Sequence, residues 1–210
     1  MLIDGKLIQD LLARHSVSVR GVLHVGAHDC EEMPFYEQLG VSPNKVVWID
    51  AIQSKVDAAT ARGIPNVHFA VVSDADGDTV TFHRTNNDQS SSILELGTHL
   101  TEHPHIHVVE TTVMKTTTID RFMDSKQLDA RNFNLWNLDI QGAEYKALLG
   151  GQLSLQHADA LYLEVNEREL YKGCALLPDL DRFLRDKGFA RIIMDMTQFG
   201  WGDALYIRTK

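Results

Sequence analysis

The chain has 210 residues, a formal net charge of -9, 44% hydrophobic residues and two cysteines. A chain of this size buries roughly 70% of its unfolded surface, so one domain spanning residues 1–210 needs no disulfide or metal staple, and Cys30 and Cys174 supply neither a disulfide framework nor ligand spacing. The acidic balance without any Lys or Arg run argues against nucleic acid as a partner, no apolar run approaches the ~20 residues of a membrane span, and the thiol content points to a reduced, cytoplasmic setting.

In chain order, Leu7, Ile8, Leu11 and Leu12 line one face of a short N-terminal helix. Apolar, β-branched runs follow at 21–26, 45–50, 67–72, 133–139 and 160–165, alternating with amphipathic stretches near 31–40, 53–62, 142–149 and 176–188. This alternation predicts a doubly wound α/β fold with a mostly parallel sheet covered by helices on both faces. The last two runs, 191–196 and 203–209, are separated only by "TQFGWG", too short for a helical crossover, so they form a C-terminal antiparallel hairpin. That order is the pattern of a class I methyltransferase, a Rossmann-like sheet. Residues 79–116 interrupt the alternation: 79–83 and 107–115 read as extra strands, with a polar loop rich in Ser, Asn and His between them that suits a lid.

In an open α/β sheet, ligands bind outside the carboxyl ends of the strands. That rule gathers Gly26 to Glu32, Asp50, Ser73 with Asp74, Asp139 to Gln141 and Glu164 to Asn166 on one rim. The turn "GAHDCEE" has one glycine where a pyrophosphate loop needs G-x-G-x-x-G, and its acids Asp29, Glu31 and Glu32 disfavour phosphate. They favour a cofactor with a cationic amino group, which S-adenosylmethionine has. Gly26 allows close backbone approach, and Asp50, 24 residues later, suits a ribose diol, or else a helix cap. Ser73 and Asp74 are placed to meet an adenine, or form only a turn.

For the chemistry, Asp139 is the first candidate base, Glu164 the second and His105 the third. Ser91, Ser92, Gln141, Asn166 and Trp201 are candidate substrate contacts, and His28, Glu32, Ala51 and Ile140 complete the candidate cofactor set. His99, His103, His105 and His107 have the spacing of imidazoles on one strand face, but Pro104 breaks that geometry, so no metal site is assigned there. Asp139 with nearby acids leaves magnesium or manganese assistance open.

The segments "HVGAHDCEE", "VWIDA", "VVSDADGDTVTFH", "QSSSIL", "LDIQGAE", "LEVNERELYKG" and "GWGDALYI", in this order, resemble the FkbM family of S-adenosylmethionine-dependent methyltransferases. The resemblance implies O-methylation of a small-molecule or glycan hydroxyl, S-adenosylhomocysteine as product, and a cofactor site at Gly26, Ala27, Asp50, Ser73 and Asp74. The chain departs from the commoner family pattern at His28, Cys30 and Asp50, where Asn, Gly and Glu are frequent; Asp50 keeps the carboxylate. The rival readings are a nicotinamide-dependent oxidoreductase and a catalytically silent domain that binds a glycan or a partner.

Overall fold

The computed structural model describes residues 1–209. Helix α1 (Gly5–Arg14) leads into strand β1 (Val22–Val25), α2 (Met33–Gln38), β2 (Val46–Asp50), α3 (Gln53–Ala61) and β3 (Val67–Phe69). Next come β4 (Val71–Val72), β5 (Thr79–Thr85), α4 (His99–Glu102), β6 (Val108–Thr117) and α5 (Ile119–Ser125). The rest is β7 (Leu135–Leu138), α6 (Glu144–Leu149), α7 (Gln152–Leu155), β8 (Ala160–Asn166), α8 (Leu177–Asp186), β9 (Phe189–Met196) and β10 (Trp201–Arg208).

Seven strands form the main sheet in the order β3-β2-β1-β7-β8-β10-β9. Pairings from β3 through β8 are parallel, and β10 runs antiparallel to both β8 and β9. The sheet is therefore α/β and doubly wound with the expected terminal hairpin. Strands β1, β2, β7 and β8 are buried along their whole length, which is why they read as mostly apolar runs without strict alternation.

The period-2 alternation sorts these strands between two cores. Leu23, Val25, Val47, Ile49, Trp136 and Leu163 face one core, closed by Phe122, Leu148, Leu180 and Leu184 from α5, α6 and α8. Val22, Val46, Trp48, Leu135 and Ala160 face the other, closed by Ile8, Leu12, Tyr36 and Ala59 from α1, α2 and α3. Ile8 and Leu12 carry the burial of α1, and Leu7 of the expected apolar face remains exposed.

One expected strand is two. The run 67–72 pairs with β2 only through Phe69, and Val71 and Val72 then pair with Thr116 and Thr117 of β6 in a separate sheet of order β4-β6-β5. The change of partner occurs at Ala70, whose N–H still donates to Asp50 O at 3.0 Å. Strands β5 and β6 are the two extra strands expected within 79–116, paired antiparallel. They carry the polar loop 86–107 back onto the sheet, where Gly97 N donates to Leu170 O and Ser92 Oγ to Gln141 O, both at 2.8 Å.

Candidate active site

The chain leaves β1 in one direction toward β3 and returns to its other side at β7, so the strand order reverses between β1 and β7. A cleft opens outside the carboxyl ends of these two strands, as expected at such a reversal. Its floor is a crossing of two backbones. Gly26, at φ +94°, lies so close to the end of β7 that a Cβ there would sit 1.8 Å from Asp139 O. Gly26 N and Ala27 N both donate to Ile49 O, at 2.8 and 3.0 Å, and Asp139 N donates to Val25 O at 3.0 Å. The requirement for glycine thus comes first from the protein's own chain crossing, while Gly26 also lines the cleft.

The cleft consists of two open hollows of about 590 and 1350 Å³, space open to solvent included, which share Gly26, His28, Gln89, Asp139 and Gln141. The first has an apolar lining from Val71, Val72, Phe82 and Ile140, and Asp50, Ala51, Ser91 and Ser92 also line it. Among the described residues, no Lys or Arg lines it. The second is polar and runs toward β8 and β10 past Glu32, His99, Glu164, Trp201 and Asp203.

Asp50, 8% exposed, ends β2 and uses both carboxylate oxygens at once: His28 N donates to Oδ2 and Ile52 N to Oδ1, each at 2.7 Å. It therefore shapes the turn after β1 as well as the start of α3. Burial pushes its carboxyl up, and the two backbone N–H groups pull it back. Each oxygen retains a further lone pair for a ligand hydroxyl.

The turn after β7 is organised by two side chains. Glu144, buried in the first turn of α6, accepts from Ile140 N at 2.8 Å and Gly142 N at 3.2 Å. Gln141, at φ +58°, extends its amide between two carboxylates: Nε2 donates to Asp139 Oδ1 at 2.7 Å and to Glu164 Oε2, while Oε1 accepts from Tyr171 Oη. Asp139 is exposed, whereas Glu164 is 3% exposed and its Oε1 has no partner among the described residues. Burial, followed by the neighbouring Asp139 and Glu144 carboxylates, holds Glu164 well above the usual carboxylate range.

Glu144 supplies a test of this arrangement. Burial raises its carboxyl from 4.5 to about 8. A carboxyl raised on folding contributes its full stability below the unfolded value and loses it as pH rises through the folded one. Glu144→Gln keeps the acceptor oxygen for Ile140 N and Gly142 N but removes the titration. Its melting temperature should fall less than the wild type's between about pH 5 and pH 8; parallel melting curves across that window would show that Glu144 does not titrate there.

The other expected residues divide. Ile140, Ser91 and Ser92 line the first hollow and Trp201 and Glu32 the second. The serine hydroxyls already have protein partners: Ser91 Oγ accepts from Thr85 N at 3.0 Å, and Ser92 Oγ donates to Gln141 O. Ala27 is packed in the second core rather than against either hollow. Ser73 and Asp74 line neither hollow: Ser73 Oγ donates to Asp74 Oδ1 at 2.8 Å, and Asp74 pairs outward with Lys146 Nζ at 3.2 Å. Asn166 is 1% exposed, with Oδ1 unpartnered among the described residues. His105 is exposed and lines neither hollow; His99 and His103 from the same loop line the second. The four histidines gather no metal cluster among the described residues, and the one grouping of suitable ligand atoms found there is His28, Asp29 and Glu31. Asp29 is also engaged by Lys55 Nζ at 3.1 Å.

Sequence reasoning passed over Asp203 and the individual roles of Glu144 and Tyr171. Their segments were visible as motifs, but each function is a contact across the sheet end that no local spacing encodes.

Comparison with known proteins bears on this site. The sequence matches the Methyltransferase FkbM domain over residues 24–190. It is 28% identical over 109 residues to 2-O-methyltransferase NoeI of Sinorhizobium fredii (strain NBRC 101917 / NGR234), covering 49% of this chain and 44% of that enzyme. The chain thus spans less than half the length of this curated relative. Among solved structures, an O-methyltransferase from Bacillus cereus in complex with SAH is similar at TM-score 0.50 and 12% identity, over 98% of this chain and 80% of that one. M. capricolum TrmK in complex with S-adenosyl-homocysteine is similar at TM-score 0.50 and 6% identity, over 99% and 69%. These likenesses share the fold, and the domain match extends from β1 into β9, across the carboxyl ends of β1, β2, β7 and β8; the chain belongs to the FkbM methyltransferase domain family.

Proposed function

We propose that the chain is an S-adenosylmethionine-dependent O-methyltransferase whose acceptor is a hydroxyl of a sugar or glycan. The observation that carries this reading is the pair of hollows joined at Gly26, Asp139 and Gln141, one apolar with a buried carboxylate and the other polar.

The first hollow fits a nucleoside without phosphate: Val71, Val72 and Phe82 offer an apolar wall, Asp50 offers acceptors for ribose hydroxyls, and no Lys or Arg among the described residues lines it to hold a phosphate. The acids of the turn after β1 suit a positively charged amino-acid portion. When bound, the cofactor supplies an electrophilic methyl carbon on a cationic sulfur. The residues of this chain have three tasks. Asp50 and the apolar wall hold the nucleoside end, and the shared neck brings the second hollow against it so that donor and acceptor share one alignment. Asp139, in the neck and open to solvent, takes the acceptor's hydroxyl proton and passes it to water. Glu164, buried and tied to Gln141, orients the acceptor.

Calorimetric titration with S-adenosylhomocysteine and with NAD tests the reading. S-adenosylhomocysteine should bind and NAD should not; the reverse would favour an oxidoreductase and overturn the proposal. Asp50→Ala should weaken S-adenosylhomocysteine by about a hundredfold, the loss of hydrogen bonds to a charged group worth about 1.5–3 kcal/mol each. Unchanged affinity would remove Asp50 from the cofactor site.

A further inference from the structure

Below the neck lies a polar contact that neither the cofactor assignment nor the base uses. His24 of β1 and Asn137 of β7 are direct partners across the two strands, at 2% and 4% exposure, and both line the second hollow but not the first. One group from α2 ties them together: Tyr36 Oη, itself buried, lies 2.8 Å from His24 Nδ1 and accepts from Asn137 Nδ2 at 2.8 Å. The His24 ring is braced from the side by Trp48, 4.7 Å away between centroids.

Burial holds Tyr36 well above the usual phenol range, so it keeps its proton. With Asn137 donating to the phenol oxygen, that proton has one acceptor left among the described residues, His24 Nδ1. Burial also pushes His24 below its ordinary value, outweighing the Glu32, Asp139 and Asp50 carboxylates and the Gly26 carbonyl, so the ring is neutral at physiological pH. A neutral imidazole that accepts at Nδ1 carries its proton on Nε2. What remains is a donor, His24 Nε2, beside an acceptor, Asn137 Oδ1. Neither makes a hydrogen bond to another described residue, and neither is sealed off as Glu164 Oε1 is, so both open to the hollow that their residues line.

A donor beside an acceptor is what one hydroxyl group satisfies, since its oxygen accepts and its hydrogen donates. His24 lies two residues before Gly26 and Asn137 two before Asp139, which sets the pair about 6–7 Å below the neck along the strands. We infer that His24 and Asn137 read a second hydroxyl of the acceptor, deeper in the hollow than the hydroxyl methylated at Asp139, and that Tyr36 is the positioning residue that fixes both side chains. The acceptor is therefore a polyol, and an analogue without the deeper hydroxyl leaves both polar groups unpaired and is rejected. The inference rests on the methyltransferase reading, since it assigns the second hollow to the acceptor.

Nitrogen NMR of the His24 ring and the Asn137 side-chain amide tests it, on the full chain saturated with S-adenosylhomocysteine and titrated with glucose, galactose, mannose and fucose. His24 should carry its proton on Nε2 at about pH 7, and at least one sugar should move the His24 Nε2 and Asn137 signals together. Tyr36→Phe removes the phenol oxygen alone. It should let the His24 proton divide between the two ring nitrogens and weaken that sugar by about tenfold, the loss of about one hydrogen bond, with S-adenosylhomocysteine affinity unchanged. In the wild type, a proton on Nδ1, sugar binding that leaves either signal in place, or no binding by any of the four sugars would each overturn the assignment, whether or not the variant folds. So would a folded Tyr36→Phe that binds the sugar as the wild type does, or that loses S-adenosylhomocysteine affinity with it. Failure of S-adenosylhomocysteine to bind the wild type would instead sink the proposed function itself, so the two failures are distinguishable.

Discussion

Asp139→Asn should lower methyl transfer by about 10²–10⁴-fold, the contribution of a positioned general base, while S-adenosylhomocysteine affinity stays close to that of the wild type. The substitution is conservative in geometry. Asparagine keeps an oxygen to accept from Gln141 Nε2, now 2.7 Å from Asp139 Oδ1, and the backbone N–H to Val25 O is untouched. What disappears is the capacity to take a proton. Two carboxylates meet at the Gln141 amide, and their surroundings separate them: Glu164 is buried and held above the usual carboxylate range, whereas Asp139 opens to solvent. Single-turnover rates with a methylatable acceptor, alongside calorimetric cofactor affinity, check the prediction. A variant that transfers methyl at the wild-type rate would exclude Asp139 as the base, and a parallel loss of cofactor affinity would make it a binding residue.

Gly26→Ala should cost about 4 kcal/mol or more of stability, at the upper end of single substitutions, and lower the melting temperature by roughly 10 °C for a chain of this length. Two effects act together. The residue sits at φ +94°, a conformation that L side chains rarely adopt, and its new methyl would lie 1.8 Å from the Asp139 carbonyl oxygen and 3.3 Å from Ile140 Cγ2. The obstacle is backbone, so no rotamer change relieves it. The two turns must separate, which opens the neck between the hollows and should also abolish S-adenosylhomocysteine binding. A melting temperature within a degree or two of the wild type would mean that the crossing relaxes easily. Gly40, at φ +81° with no described atom within 4 Å of where a Cβ would stand, is the control: Gly40→Ala carries only the conformational cost, on the order of 1 kcal/mol.

Much of this architecture is legible residue by residue. Short, mostly apolar runs at Val22–Val25, Val46–Asp50 and Leu135–Leu138, spaced by amphipathic stretches, read as strands buried on both faces, and the six residues between the last two runs, 191–196 and 203–209, are enough only for a hairpin. Topology then puts Gly26, Asp50, Asp139 and Glu164 on one rim, because strand ends in a parallel sheet share an edge. The seven motif segments carried the family resemblance that the domain match bears out.

The site is less legible wherever a side chain's direction depends on a partner distant in sequence. Ser73 and Asp74 follow a strand that leaves the main sheet at Ala70, so Asp74 meets Lys146 outside the two hollows, a change that apolar periodicity through 67–72 cannot reveal. In the loop 86–107, which has no repeating pattern, four histidines are equivalent by composition. Packing against Tyr171 selects His99, with the His103 ring tilted against it at 4.9 Å between centroids, and leaves His105 exposed. Gln141 looks like a turn residue until Asp139, Glu164 and Tyr171 are brought around its amide. Local hydrophobic period and turn chemistry act over a few residues, so the chain alone determined the strands, their order of use and the rim they share. Hydrogen bonds and burial across the sheet ends act between residues tens of positions apart, and only the folded packing decided which of the rim's polar groups face the cleft.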